Sequence, residues 1–238
     1  MPNKQKHRGQ HPEDAYLFNE QNLLKIRMAV ADLSFLLSKN YPENASLKLV
    51  GDHYRLNARQ RQALLRSACS DSSIIQKQKN EITVDDLSHQ EVWIDTYNLL
   101  ILIETALSQG LIFICRDNCY RDIASVHGTY RKVEETLPAI QLIIRTLQKL
   151  QVSKCVWYLD SPIANSGRLS KIILQESQIA NLPAEAFLVH NPDKILVETD
   201  RIVISTDSRV IEKARRWFNL GKYIIDYCIS KPQMRNIS

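Results

Sequence analysis

Apolar positions change their rhythm near residue 70. From Phe18 to Leu37 they fall at Leu23, Ile26, Met28, Val30, Leu33, Leu36 and Leu37, the spacing of an amphipathic helix without internal glycine or proline. Asn40-Tyr41-Pro42 ends it, because proline cannot continue a helix and pushes its predecessor out of helical angles. Shorter helices are predicted near Ala45–Val50 and from about Leu56 to Cys69, and the polar stretch Ser70–Gln90 reads as a linker. Beyond it, β-prone runs at Val92–Ile94, Leu111–Cys115, Cys155–Leu159, Ala186–Val189, Ile202–Ile204 and Tyr223–Ile225 take over. Helical patterns at Tyr97–Leu107, Val133–Leu150, Leu169–Gln178 and Arg209–Trp217 separate them. Strands spaced by helices of this length predict an α/β fold, a parallel sheet with helices on both faces. The chain thus divides into a small all-α N-terminal domain with linker, residues 1–88, and an α/β domain, residues 89–238.

Composition removes several classes of chemistry. Glycine occurs only 6 times in 238 residues, at Gly9, Gly51, Gly110, Gly128, Gly167 and Gly221. None of the spacings forms a dinucleotide fingerprint, a P-loop or a G-x-S-x-G elbow, which excludes those phosphate cradles and that serine nucleophile. The 5 cysteines form no C-x-x-C pair, and no signal peptide or membrane-length apolar run is present. These features predict a soluble, cytoplasmic protein with reduced thiols and no membrane partner. Cys115 and Cys119 lack a second ligand pair, so zinc is not expected.

In a parallel sheet, ligands gather at the carboxyl ends of strands. Three predicted strands lead into aspartate there: Asp95, Asp160 and Asp207. Three converging carboxylates would raise one another's pKa unless a cation neutralised them, and oxygen donors with retained water suit Mg²⁺ or Mn²⁺. Each aspartate also precedes a helix and could serve as an N-cap. Asn98, three residues after Asp95, could fix that carboxylate, hold a water or start the helix.

Ile94-Asp95-Thr96-Tyr97-Asn98 resembles the D-x-x-N signature of NYN-type nucleases in the PIN-like superfamily, and Ser205-Thr206-Asp207-Ser208 resembles their later acidic turn. The whole chain also resembles a two-part bacterial and archaeal family, the domain of unknown function 434, with a helical region before a PIN-like one. That likeness rests on His11–Asp14, Leu47–Asp52, Arg59–Gln62, Asp95–Asn98, His127–Thr136, Asp160–Pro162 and Asn165–Arg168. The resemblance implies metal-dependent hydrolysis of RNA phosphodiesters, with Asp95, Asp160 and Asp207 as metal ligands. It also implies a further acid, for which Asp122 is the first choice and Asp117 the second, with Glu104, Glu134 and Glu135 as other candidates. The later motif departs from the S-G-D-x-D form of that group, carrying Arg209 in place of the second acid.

An RNA partner needs cations. Residues 1–70 hold 11 Lys and Arg against 6 Asp and Glu, a balance of +5, while residues 89–238 hold 18 against 16, or +2. In a helix at roughly 100° per residue, Arg55, Arg59 and Arg66 fall within about 40° of one another. That stripe could grip phosphates beside His53 and Tyr54, or it could be a solvated face or pair with acids of the second domain. His127-Gly128-Thr129-Tyr130-Arg131-Lys132 and Ser166-Gly167-Arg168 are either anion-binding turns or plain helix starts, with Lys132 and Arg168 as the phosphate contacts and Arg168 near the reacting group. His127 could act as a general base or be structural, and Trp93 and Trp157 are expected in the core. The reading is a Mg²⁺- or Mn²⁺-dependent ribonuclease. Its rivals are a non-catalytic RNA- or nucleotide-binding protein with a degenerate site and a toxin-related regulatory protein whose helical half contacts a partner.

Overall fold

A computed structural model describes residues 6–124 and 130–238. Helix α1 (Asp14–Leu17) leads into α2 (Glu20–Ser38), started by the Asn19 side chain accepting from the Asn22 N–H. Then come α3 (Glu43–His53), α4 (Ala58–Ser67) and α5 (Asp71–Asn80). Strand β1 (Glu91–Asp95) opens the second half, followed by α6 (Thr96–Leu107), β2 (Leu111–Ile114), β3 (Tyr120–Arg121) and α7 (Thr136–Lys149). Next are β4 (Lys154–Asp160), α8 (Ser166–Ile179), β5 (Ala184–Val189) and α9 (Pro192–Glu198). The chain finishes with β6 (Ile202–Ile204), α10 (Ser208–Lys213), α11 (Leu220–Cys228) and β7 (Gln233–Asn236).

The fold is α/β. Its main sheet is wholly parallel in the order β5-β4-β1-β6, with β1 paired to both β4 and β6. On one face Ile94, Trp157 and Ile204 pack against Leu99, Ile140, Ile173 and Ile224 of the covering helices. On the other, Val156 and Val203 meet Leu196 of α9 and Val210 of α10. The N-terminal helices share a third core with Leu111 and Phe113 of a small sheet ordered β3-β2-β7, and with Ile237 just beyond β7. Among the described residues no helix is long and apolar enough to cross a membrane.

Five expectations are corrected. The run Leu111–Cys115 forms a strand, but in the small sheet rather than the parallel one. Tyr223–Ile225 lies inside helix α11: Asn219 caps it by accepting from the Lys222 N–H, and Leu220, Ile224 and Ile225 face the core at helical spacing. A β-carbon on Gly221 would sit 2.8 Å from Leu102 Cδ2, so glycine permits the close approach of α11 to α6. The helix predicted to reach Trp217 stops at Lys213, after which Trp217 bridges Glu81 and Val203. Trp157 is fully buried as expected, whereas Trp93 is half-buried and donates to Glu91 at 2.7 Å.

The fifth correction concerns the linker, which contains α5. Ser70 caps this helix by accepting from the Ser73 N–H. Its inner face is polar, so hydrophobic periodicity does not show it: Ser73 donates to Glu212, the Lys77 carbonyl accepts from Trp217, and the Lys77 ammonium is 1% exposed. Lys77 Nζ reaches Asp117 Oδ2 at 2.7 Å, and Arg121 grips both oxygens of the same carboxylate at 2.8 and 2.7 Å. Burial alone would raise the Asp117 carboxyl, but the charges and hydrogen bonds of Arg121 and Lys77 prevail and hold it well below the usual range.

Asp117→Asn leaves two buried cations without their anion and is expected to cost about 3–5 kcal/mol in urea unfolding at pH 7. Because the folded-state pKa is depressed, this contribution is present above the unfolded value near 3.8 and is lost as pH falls below it. A variant as stable as the wild type at pH 7 would contradict this assignment.

Candidate active site

The carboxyl ends of the parallel strands form one rim. Pairing sets Asp95 beside Tyr158 and Trp93 beside Val156, which puts Asp95, Tyr158 and Asp160 on the same face. Asp95, Asp122, Asp160 and Asp193 line a cavity of about 260 Å³ together with Arg66, Tyr97 and Asn98. Asp207 lines a neighbouring cavity of about 380 Å³, which shares Arg66 and Asn98 with the first. Among the described residues no three His, Cys, Asp or Glu side chains are gathered into a ready-made metal site. The aspartates share a cavity rim and its field without meeting at a point.

Asp95 is 5% exposed, and its Oδ2 accepts from Ser205 Oγ at 2.6 Å and Asn98 Nδ2 at 2.7 Å. Neither donor is a cation. Burial pushes the carboxyl up to about 6; the two hydrogen bonds pull it down, and the charges of Asp193 and Asp207 push it up further. Burial also raises Asp160, with His190 pulling the other way. Asp193 is raised by the packing around it and by the charges of Asp207 and Asp160, while Arg209 lowers it.

The capping alternative holds for one of the three strand-end acids. Asp207 Oδ1 accepts from the N–H groups of Arg209 and Val210 at 2.8 and 3.2 Å and starts α10. Asp95 makes no cap bond to α6, and α8 begins at Ser166, well past Asp160. The turn carrying Asp207 is fixed from beneath. Ser205 Oγ accepts from the Asp207 N–H at 3.0 Å, Arg121 Nε donates to the Thr206 carbonyl at 2.6 Å, and Lys77 Nζ reaches Ser208 Oγ at 2.5 Å.

Asp122 stands in the cavity wall. Its Oδ1 accepts from the Ala124 N–H at 2.7 Å and lies 3.9 Å from Arg66; burial raises its carboxyl and Arg66 opposes the rise. The other candidate acids are engaged elsewhere: Asp117 with Lys77 and Arg121, Glu104 with Arg8, Tyr130 and Thr136, and Glu134 and Glu135 beside His7. Sequence reasoning missed Asp193 and Ser205. The signal for Asp193 was Asn191-Pro192-Asp193 after β5, where proline at the first helical turn sets the acid beyond the strand end.

The expected arginine stripe does not form. Arg55, at φ 50°, belongs to the left-handed turn that closes α3, where the Leu56 N–H donates to the Gly51 carbonyl and the Arg55 N–H to that of Asp52. Helix α4 starts only at Ala58, because Asn57 and Gln60 form a capping box. Arg59 pairs with buried Asp14, Arg66 donates to the carbonyls of Asp122 and Ala124, and the Tyr54 hydroxyl donates to Asp32. Lys132 and Arg168, far apart in sequence, instead line one small cavity of about 110 Å³. Both are exposed, and neither side chain has a hydrogen-bond or ion-pair partner among the described residues. His127, Gly128 and Thr129 lie outside the described residues.

A raised carboxyl favours folding while protonated and opposes it once charged. Asp95 therefore costs stability as pH rises from about 4 through its folded value near 6. Asp95→Asn keeps an acceptor for Ser205 and Asn98 and removes the charge. Urea unfolding is expected to show the variant gaining on the wild type across this window, by roughly 3 kcal/mol at pH 7. Parallel pH profiles for the two proteins would contradict the placement of a buried, cation-free carboxylate here.

Comparison with known proteins places this geometry in a family. Residues 84–223 match the family model described as a domain of unknown function, DUF5616, and residues 25–79 match that of the protein of unknown function DUF434. The two-part organisation is thus shown. The DUF434 match, however, ends before Asp95–Asn98 and Asp160–Pro162, which fall within the second model, so the expected near-full-length likeness to DUF434 is corrected. The uncharacterized protein MJ0935 of Methanocaldococcus jannaschii is 30% identical over 203 residues, covering 85% of this chain and 94% of that protein. No solved structure matches. With its model spanning β1 to the first turn of α11 and all the cavity aspartates, the chain belongs to the DUF5616 family and carries a DUF434 segment ahead of it.

Proposed function

We propose that the protein is a PIN-like ribonuclease that uses Mg²⁺ or Mn²⁺ to hydrolyse RNA phosphodiester bonds. The carrying observation is the cavity shared by Asp95, Asp122, Asp160 and Asp193, with Arg66 as the one basic residue among its described lining. Carboxylates that raise one another's pKa are hard oxygen donors in need of counter-charge, and this fits a hard divalent cation. Asp95, Asp160 and Asp193 would hold it, and Asp207 would add its field from the neighbouring cavity. When bound, such an ion lowers the pKa of its water and offsets charge on a phosphoryl oxygen.

The chain's own groups supply the rest. Asn98 and Ser205 fix the Asp95 carboxylate, so its rotamer is set before substrate arrives. Neither the Lys132 nor the Arg168 side chain has a hydrogen-bond or ion-pair partner among the described residues, and cations so placed suit the phosphates of an RNA strand, with Arg168 steadying the attacked one. The second reading, a non-catalytic RNA- or nucleotide-binding protein, is favoured by one observation: the acids do not converge into a ready-made site among the described residues.

Mn²⁺ titration followed by electron paramagnetic resonance separates the readings. Wild type is expected to bind the ion and to cleave a labelled single-stranded RNA, with both properties falling about tenfold or more in Asp193→Asn. RNA bound equally well in EDTA and left intact in Mn²⁺ would establish the binder instead. In the double variant Lys132→Ala/Arg168→Ala, RNA affinity should drop and the slope of log affinity against log salt should flatten by about 1.4. An unchanged slope would remove these two residues from the RNA path.

A further inference from the structure

One donor in the wall of the acidic cavity has nothing to donate to among the described residues. Tyr97 lies in the first turn of α6, is 7% exposed and lines the cavity between Asp95 and Asn98. Its hydroxyl is buried and has no hydrogen-bond partner among the described residues. The ring is tilted against Tyr130 at 5.2 Å, and the Tyr130 hydroxyl is itself spent on Glu104 and Thr136. An unpaired buried hydroxyl costs free energy, so a phenylalanine would be the cheaper residue if the position served packing alone. Burial and the nearby Asp160 charge both keep the phenol protonated, and hence a donor.

The rest of the cavity shows what that donor would meet. Ionised carboxylates only accept hydrogen bonds. Asn98 donates to Asp95, and Arg66 is committed to the carbonyls of Asp122 and Ala124. A phosphodiester resting over the acids needs a neutral donor that neither displaces a cation nor adds charge.

We propose that the Tyr97 hydroxyl donates a hydrogen bond to a non-bridging oxygen of the phosphodiester held over Asp95 and Asp160, orienting it for hydrolysis. This deepens the ribonuclease reading and rests on it. Tyr97 keeps its proton throughout and forms no covalent bond; its contribution is a contact that tightens as charge builds on the phosphoryl oxygens.

Tyr97→Phe tests this in the full-length protein, with Mn²⁺ alone and with a short labelled single-stranded RNA as probes. The variant should melt no lower than wild type and bind Mn²⁺ within about twofold of it, since the hydroxyl has no structural partner to lose among the described residues. Its cleavage rate at saturating RNA should fall about tenfold or more, with a smaller change in KM. Wild-type kcat and KM in the variant would overturn the inference and leave the ribonuclease reading standing. A lower melting temperature or a weakened Mn²⁺ affinity would also overturn it, by assigning the hydroxyl to the fold or to the ion. A wild-type protein that neither binds Mn²⁺ nor cleaves RNA would refute the ribonuclease reading and the inference with it.

Discussion

A single buried carboxylate, Asp117, ties the molecule together. It sits between Lys77 of α5 and Arg121 of β3, all three side chains almost fully removed from solvent. Charges in such a place are tolerated only when paired and fully hydrogen-bonded, so each member fixes the position of the other two. The two cations also reach outward, Arg121 to the carbonyls of Thr206 and Arg66, and Lys77 to the Ser208 hydroxyl. The N-terminal helices, the small sheet and the turn bearing Asp207 are thereby joined at one electrostatic node. Asp207, through its turn, is positioned by this node.

Asp95 is treated in the opposite way. It is as deeply buried as Asp117, yet it has a hydroxyl and an amide where Asp117 has an ammonium and a guanidinium. One carboxylate is driven below its ordinary pKa and the other above it. A fold selected for stability alone would not leave the second so exposed to its neighbours' charge, and sites that bind or transform ligands are where such unbalanced groups collect.

Much of this is legible in the amino-acid sequence. Period-3.6 and short β-prone runs placed α2, α6 and the strands of the parallel sheet, and strand-end logic placed Asp95 and Asp160 at one rim. What stayed hidden has a common cause. Helix α5 buries serine and lysine, so apolar periodicity is silent about it. The strand-like Ile224-Ile225 pair is helical because Asn219 caps it and a glycine lets it approach α6, neither of which an apolar run reveals. The arginine stripe failed because Asn57 starts its helix late, leaving Arg55 in the preceding turn. Lys132 and Arg168, 36 positions apart in sequence, line one cavity, a proximity that only the fold makes.

The account stands on the cavity aspartates acting together on one cation. A crystal grown with MnCl₂ and measured near the manganese absorption edge tests this most directly. The anomalous difference map should show a peak bounded by the carboxylates of Asp95, Asp160 and Asp193, with their side chains drawn toward it. No peak there, or manganese only at surface carboxylates such as Glu134 or Asp200, would contradict the claim.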